Sequence, residues 1–180
     1  MANALMEESL RGGRILDIGC GSFPMFLKNV SFREKYGLDQ VVTAEKQEEF
    51  SGQGITLVQR DLEQDHRLPF PDGHFAAVTM LAVFEHIRTT HLPEIVREIR
   101  RVLQPGGFYI LTTPASWTNP ILETLSALRL LSSVEIDEHE EIHTHASIRQ
   151  VLSQAGFSAE SVRCGSFELG MNLWATARKE

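Results

Sequence analysis

Cysteine is scarce: Cys20 and Cys164 are the only two in 180 residues. They form neither a disulfide scaffold nor a paired metal motif, and a reducing, cytoplasmic setting is expected. Positive charge is also short. Seventeen Lys and Arg face 24 Asp and Glu, a formal net charge of −7. Proteins that grip nucleic acid usually carry a basic footprint against the phosphates, so RNA and DNA are demoted as partners. No apolar run approaches the roughly 20 residues that cross a bilayer. Residues 1–14, MANALMEESLRGGR, lack the apolar centre of a secretory signal. A soluble protein is expected, which a protein partner could still bring to a membrane surface. Repeats and low-complexity tracts are missing too.

What is present suits one domain over 1–180. The chain is long enough to bury a substantial core, and 42% of its residues are hydrophobic. RILDIG, 14–19, reads as a buried parallel strand with a glycine-rich stop. A short helix can follow over 24–30, with Pro24 tolerated in its first turn. Further strands are predicted at 35–39, at 54–61 and in FAAVTMLAVF, 75–84, which runs into a loop. PFPDG, 69–73, is a turn fixed by its prolines and glycine. Helical spacing of Leu92, Ile95, Val96, Ile99, Val102 and Leu103 predicts a helix over 91–103, ended by Gln104-Pro105-Gly106-Gly107. FYILTTP, 108–114, is the fifth strand. A leucine-rich segment, 119–131, reads as helical, and 144–155 as a helix with a threonine cap. Two closing strands, 157–164 and 167–178, are expected to join at a tight Gly165-Ser166 turn. Alternating strands and helices imply a parallel sheet, and the last pair an antiparallel addition at one edge.

DIGCGS, 17–22, is the sharpest local signal. A glycine turn after the first strand lets a ligand approach the backbone, whose amides can hold an anionic group. It lacks the third glycine of the dinucleotide fingerprint, since Phe23 stands there. Asp39 ends the second strand, where a carboxylate can accept from ribose hydroxyls; its alternative role is a helix cap before Val41. Asp61-Leu62 ends the third strand and suits an adenine amino group and ring, or a plain loop.

ILDIGCGS, YGLD, RDLEQDHRLPFPDGHFAAVTMLAVFEHI and RVLQPGGFYILTTP occur in this order. Together they resemble the class I S-adenosylmethionine-dependent methyltransferases, methyltransferase type 11 above all, over roughly 14–114. The resemblance implies a Rossmann-like α/β fold. Its mostly parallel seven-stranded sheet is ordered 3-2-1-4-5-7-6 with strand 7 antiparallel. It implies S-adenosylmethionine as cofactor, with Gly19, Cys20 and Gly21 turning around its methionine part and Asp17 organising that turn. Asp39 then takes the ribose, Asp61 and Leu62 the adenine side, and Leu81 and Ala82 line the cofactor at the fourth-strand tip. Phe23-Pro24 departs from the family's small residues, and Ala76 from its common aspartate.

Methyl transfer needs alignment of donor and acceptor and sometimes removal of a proton. Glu85-His86 resembles the family's acid–histidine pair at the active-site rim. His86 is the first choice of base or acceptor-orienting group, since imidazoles change charge close to neutral pH; a loop hydrogen bond is the alternative. Glu85, Trp117, His139 and His143 are candidates for the acceptor side. His139 and His143 lie four apart in EIDEHEEIHTH, 135–145, yet form no compact metal motif, and no metal is expected. Residues 115–143 read as a small cover over the acceptor, or as ordinary packing. The function expected is methyl transfer to a small molecule; the alternative is a noncatalytic cofactor-binding partner of another protein. A nicotinamide dehydrogenase is disfavoured by the missing third glycine.

Overall fold

The computed structural model describes residues 1–116 and 143–180. Seven strands form one sheet: β1 (Arg14–Ile18), β2 (Glu34–Asp39), β3 (Ile55–Gln59), β4 (Phe75–Leu81), β5 (Leu103–Pro114), β6 (Val162–Phe167) and β7 (Asn172–Arg178). Their order is β3-β2-β1-β4-β5-β7-β6. Neighbours from β3 to β5 are parallel, and β7 runs antiparallel to both β5 and β6. This is the order the resemblance implied.

The α-helices among the described residues are α1 (Ala2–Leu5), α2 (Met25–Lys28), α3 (Ala44–Ser51), α4 (Leu92–Val102) and α5 (His145–Gln154). Residues on β1 alternate between two buried clusters. Leu16 and Ile18 join the one built with α4 and α5, and Ile15 joins the one built with α1, α2 and α3. Apolar side chains are therefore needed on both faces, which is why the buried parts of β1 and β4 are apolar but for the hydrogen-bonded pair Asp17 and Thr79. Helix α4 buries Leu92, Ile95, Val96, Ile99 and Val102 along one stripe. Each such side chain contributes about 1.5–3 kcal/mol when fully buried. No helix among the described residues is long and apolar enough to cross a membrane.

Two boundaries differ from the sequence reading. The Gln104–Gly107 turn is absorbed into β5: Phe75 pairs with Leu103 and Ala77 already with Phe108, so the intervening residues bulge from the ladder. The bulge is pinned by the chain end, where Gly106 N–H donates to the Lys179 carbonyl (2.7 Å) and Lys179 N–H to that of Gly107 (2.9 Å). The closing hairpin turns at Glu168–Gly170 instead of at Gly165-Ser166, which lie inside β6. Gly165 is there because the Trp174 ring covers it; a Cβ would stand 2.6 Å from the indole. The predicted helix at 119–131 lies outside the described residues.

Candidate active site

Parallel strands end on one edge of the sheet, and their exit loops bring polar groups together there. The loops after β1, β2, β3 and β4 enclose a cleft of about 510 Å³. Its walls are Ile18 and Gly19 from β1, Leu38, Asp39 and Gln40 from β2, Arg60 to Glu63 after β3, and Val83, His86 and Ile87 after β4. Sequence reasoning had singled out five of these: Gly19, Asp39, Asp61, Leu62 and His86.

The glycine turn is fixed by two contacts. Gly19 has φ +74°, and a Cβ there would fall 2.1 Å from Val83 Cγ2. Only glycine lets β1 pass so close to the β4 exit. Gly21 has φ +67° and open space beside it, the nearest atom being Phe23 N at 3.9 Å. Its N–H donates to Asp39 Oδ2 (2.8 Å), while Val41 N–H donates to Oδ1 (3.0 Å). The bond to Val41 closes a local turn and caps no helix, since α3 begins at Ala44 and is capped by Thr43. Each oxygen keeps a second lone pair for a ligand.

Asp61 is held similarly. Its Oδ1 accepts from Glu63 N–H (2.9 Å) and its Oδ2 from Gln64 Nε2 (2.7 Å). Asp17 lies behind the turn, 5% exposed, and accepts from Thr79 Oγ1 at 2.6 Å. Burial, with the Asp39 charge adding to it, pushes its carboxyl up to about 7 against the pull of the Thr79 bond. Burial likewise pushes the Cys20 thiol up to about 12, so it stays protonated at neutral pH.

Asp17, Cys20, Gly21, Leu81, Ala82 and Glu85 stand outside the lining. Leu81 packs on the cluster built with α1 to α3. Ala82 is held left-handed (φ 55°) by bonds from its N–H to the Thr112 carbonyl and hydroxyl, both 3.1 Å. Glu85 is buried beside Phe84 in the turn that presents His86. His143 is 1% exposed and meets the Phe84 ring edge-on at 4.7 Å. Trp117 and His139 lie outside the described residues, as does most of 115–143. Sequence reasoning missed Ile18, Leu38, Gln40, Arg60, Glu63, Val83 and Ile87, although all seven flank residues it named.

Comparison with known proteins fits this geometry. The family described as a methyltransferase domain matches residues 2–162. The ubiquinone/menaquinone biosynthesis C-methyltransferase UbiE of Pseudomonas entomophila is 33% identical over 124 residues, 62% of this chain and 45% of that protein. The enzyme of that name from Ectopseudomonas oleovorans is 36% identical over 109 residues, 53% of this chain and 59% of that one. The chain thus spans about half the length of the curated relatives it matches. Among solved structures, the methyltransferase held with the Trm112 activator from Haloferax volcanii superposes with a TM-score of 0.72 at 17% identity, covering 99% of this chain and 87% of that one. A SAM-dependent methyltransferase of Thermotoga maritima gives 0.71 at 16% identity, covering 98% and 84%. Strand order and family match agree, and the chain belongs to the methyltransferase-domain family.

Proposed function

We propose that the cleft holds S-adenosylmethionine with its ribose on Asp39, its adenine beside Asp61 and Leu62 and its methionine end on the Gly19–Gly21 turn, and that a small-molecule acceptor meets it on the His86 side. The observation that carries this reading is the convergence of Asp39, Asp61 and His86 on one cleft, with the two acids on the β2 and β3 loops and the imidazole on the β4 loop. The residues fit the cofactor. Asp39 is preorganised by two backbone donors with lone pairs to spare, the open side of Gly21 admits a ligand against the backbone, and Ile18, Leu38, Leu62, Val83 and Ile87 offer apolar surface to a ring.

When bound, the cofactor supplies an electrophilic methyl group on a sulfonium. The chain's own work is to align the acceptor, keep water out and take a proton where the acceptor atom carries one. His86 is placed for the last task. Oxygen, nitrogen and carbon acceptors all fit this scheme, and the relatives' C-methyltransferase name puts carbon first in an assay.

One calorimetric experiment separates the roles. S-Adenosylhomocysteine is expected to bind saturably. Asp39→Ala should weaken it by about 1.5–3 kcal/mol, the value of a hydrogen bond to a charged group. His86→Ala should leave that affinity nearly intact and lower turnover once an acceptor is found, with His86→Gln restoring orientation but no base. Unchanged affinity in a folded Asp39→Ala protein rejects the ribose role. Equal turnover of wild type and His86→Gln at saturating substrates removes His86 as base.

A further inference from the structure

Strands β3 and β4 are not neighbours: β2 and β1 lie between them. At strand spacings of about 4.8 Å, their exits start roughly 14 Å apart, yet both loops line the same cleft. Among the side chains that rejoin them, Glu63 lies at the cleft itself. Glu63 Oε1 accepts from Arg88 N–H (3.1 Å). Its Oε2 lies 3.4 Å from Arg88 Nε and 3.3 Å from His91 Nδ1. The other end of Glu63 faces the cofactor side, because its backbone N–H donates to Asp61 Oδ1. A second rung runs parallel to the first. His66 Nδ1 meets Glu94 Oε2 at 2.9 Å, and the His66 and His91 rings touch with centroids 4.4 Å apart.

We propose that Glu63 is the positioning residue that clasps the cofactor cleft, tying the Asp61 loop to the segment that follows His86. The inference rests on the cofactor reading above and adds a residue that acts through Asp61. The bond from Arg88 fixes where Glu63 sits, and Glu63 N–H fixes how the Asp61 carboxylate points. His91 does not line the cleft and takes part through Glu63 and through its ring contact with His66. A cofactor leaving the cleft must therefore wait for this clasp to open, and the clasp acts mainly on the dissociation rate.

The test uses the whole chain and S-adenosylhomocysteine, with stopped-flow dissociation and amide hydrogen exchange. Glu63→Ala is expected to speed dissociation about ten-fold. Glu63→Gln, which still accepts from Arg88 N–H, should recover most of the loss. His91→Ala should speed dissociation in the wild-type background and add clearly less than that to Glu63→Ala, because the two share one link. In the unliganded protein, Glu63→Ala should raise amide exchange at 61–65 and at 86–91 together. Additive effects of Glu63→Ala and His91→Ala, or exchange that rises in one loop alone, overturn the clasp. Wild-type protein that shows coupled exchange but no S-adenosylhomocysteine binding overturns the cofactor reading and leaves the clasp standing as a link between loops.

Discussion

At the scale of the residue, Asp17 shows how much of a site is hidden from the sequence. DIGCGS marks a carboxylate before a glycine turn, and the resemblance gives it a role there. Its burial, its bond to Thr79 Oγ1 and its proximity to the Asp39 charge arise only when β1 lies between β2 and β4. The consequence is a pH dependence whose sign is fixed. The folded carboxyl titrates at about 7, against 3.8 for the free group. Between those values the folded state keeps a proton that the unfolded chain releases. Stability from this group is therefore fully present below about pH 4 and falls as pH rises to about 7. The loss is on the order of 4 kcal/mol, at about 1.4 kcal/mol per pH unit. Asp17→Asn keeps a partner for Thr79 and removes the titration. Urea unfolding at pH 5 and pH 8 should show wild type weaker at pH 8 by more than the variant is. The same pH dependence in both proteins would place the titrating group elsewhere. Glu63 teaches the complementary lesson: it follows Asp61-Leu62 directly, yet its partners Arg88 and His91 lie 25 and more residues on, where no local pattern links them.

At the scale of the element, legibility follows the range of the forces involved. Helix α4 was readable because its apolar stripe is intrinsic to its own sequence. The α5 start was readable because Thr144 is a local cap: its Oγ1 accepts from Ser147 N–H (3.1 Å), and Ser147 Oγ accepts from Thr144 N–H (2.9 Å). Thr144→Ala should cost about 1 kcal/mol, read from the denaturation midpoint. A change within error would mean that packing of Ile148, Val151 and Leu152 alone sets the helix start. The closing hairpin misled the sequence reading for a tertiary reason. Gly165-Ser166 has turn composition, but Gly165 is small to admit Trp174 from the paired strand. The real turn, Glu168–Gly170, uses two non-glycine residues with positive φ, Glu168 and Leu169, and nothing in ELG advertises that. Edge protection is equally nonlocal. Arg149 and His145 on α5 donate to or meet the Val162 and Gly165 carbonyls of β6, blunting the outer edge of the sheet.

At the scale of the whole molecule, the cleft belongs to half of the sheet. Among the described residues, its lining comes from the exits of β1, β2, β3 and β4, while β5, β7 and β6 contribute none of it. The two halves are nonetheless one ladder, since β4 pairs with β5 along Ala77–Leu81 and one buried cluster runs from Leu38 and Leu62 to Leu173 and Ala177. A ligand gripping only β1 to β4 should therefore stabilise all seven strands against unfolding. S-Adenosylhomocysteine at a hundred times its dissociation constant adds about 2.7 kcal/mol to the folded state. For a chain of this length that raises Tm by roughly 5–10 °C, at about 2–4 °C per kcal/mol. Scanning calorimetry should show one transition that moves as a whole with the cofactor product and does not move with NAD. A shift with NAD and none with S-adenosylhomocysteine would contradict the cofactor assignment. A trace that splits, with one component shifted and the other fixed, would instead show that the β5-β7-β6 half unfolds independently. In that case the cofactor would stabilise only the strands whose tips it touches, and the shared cluster would not couple them.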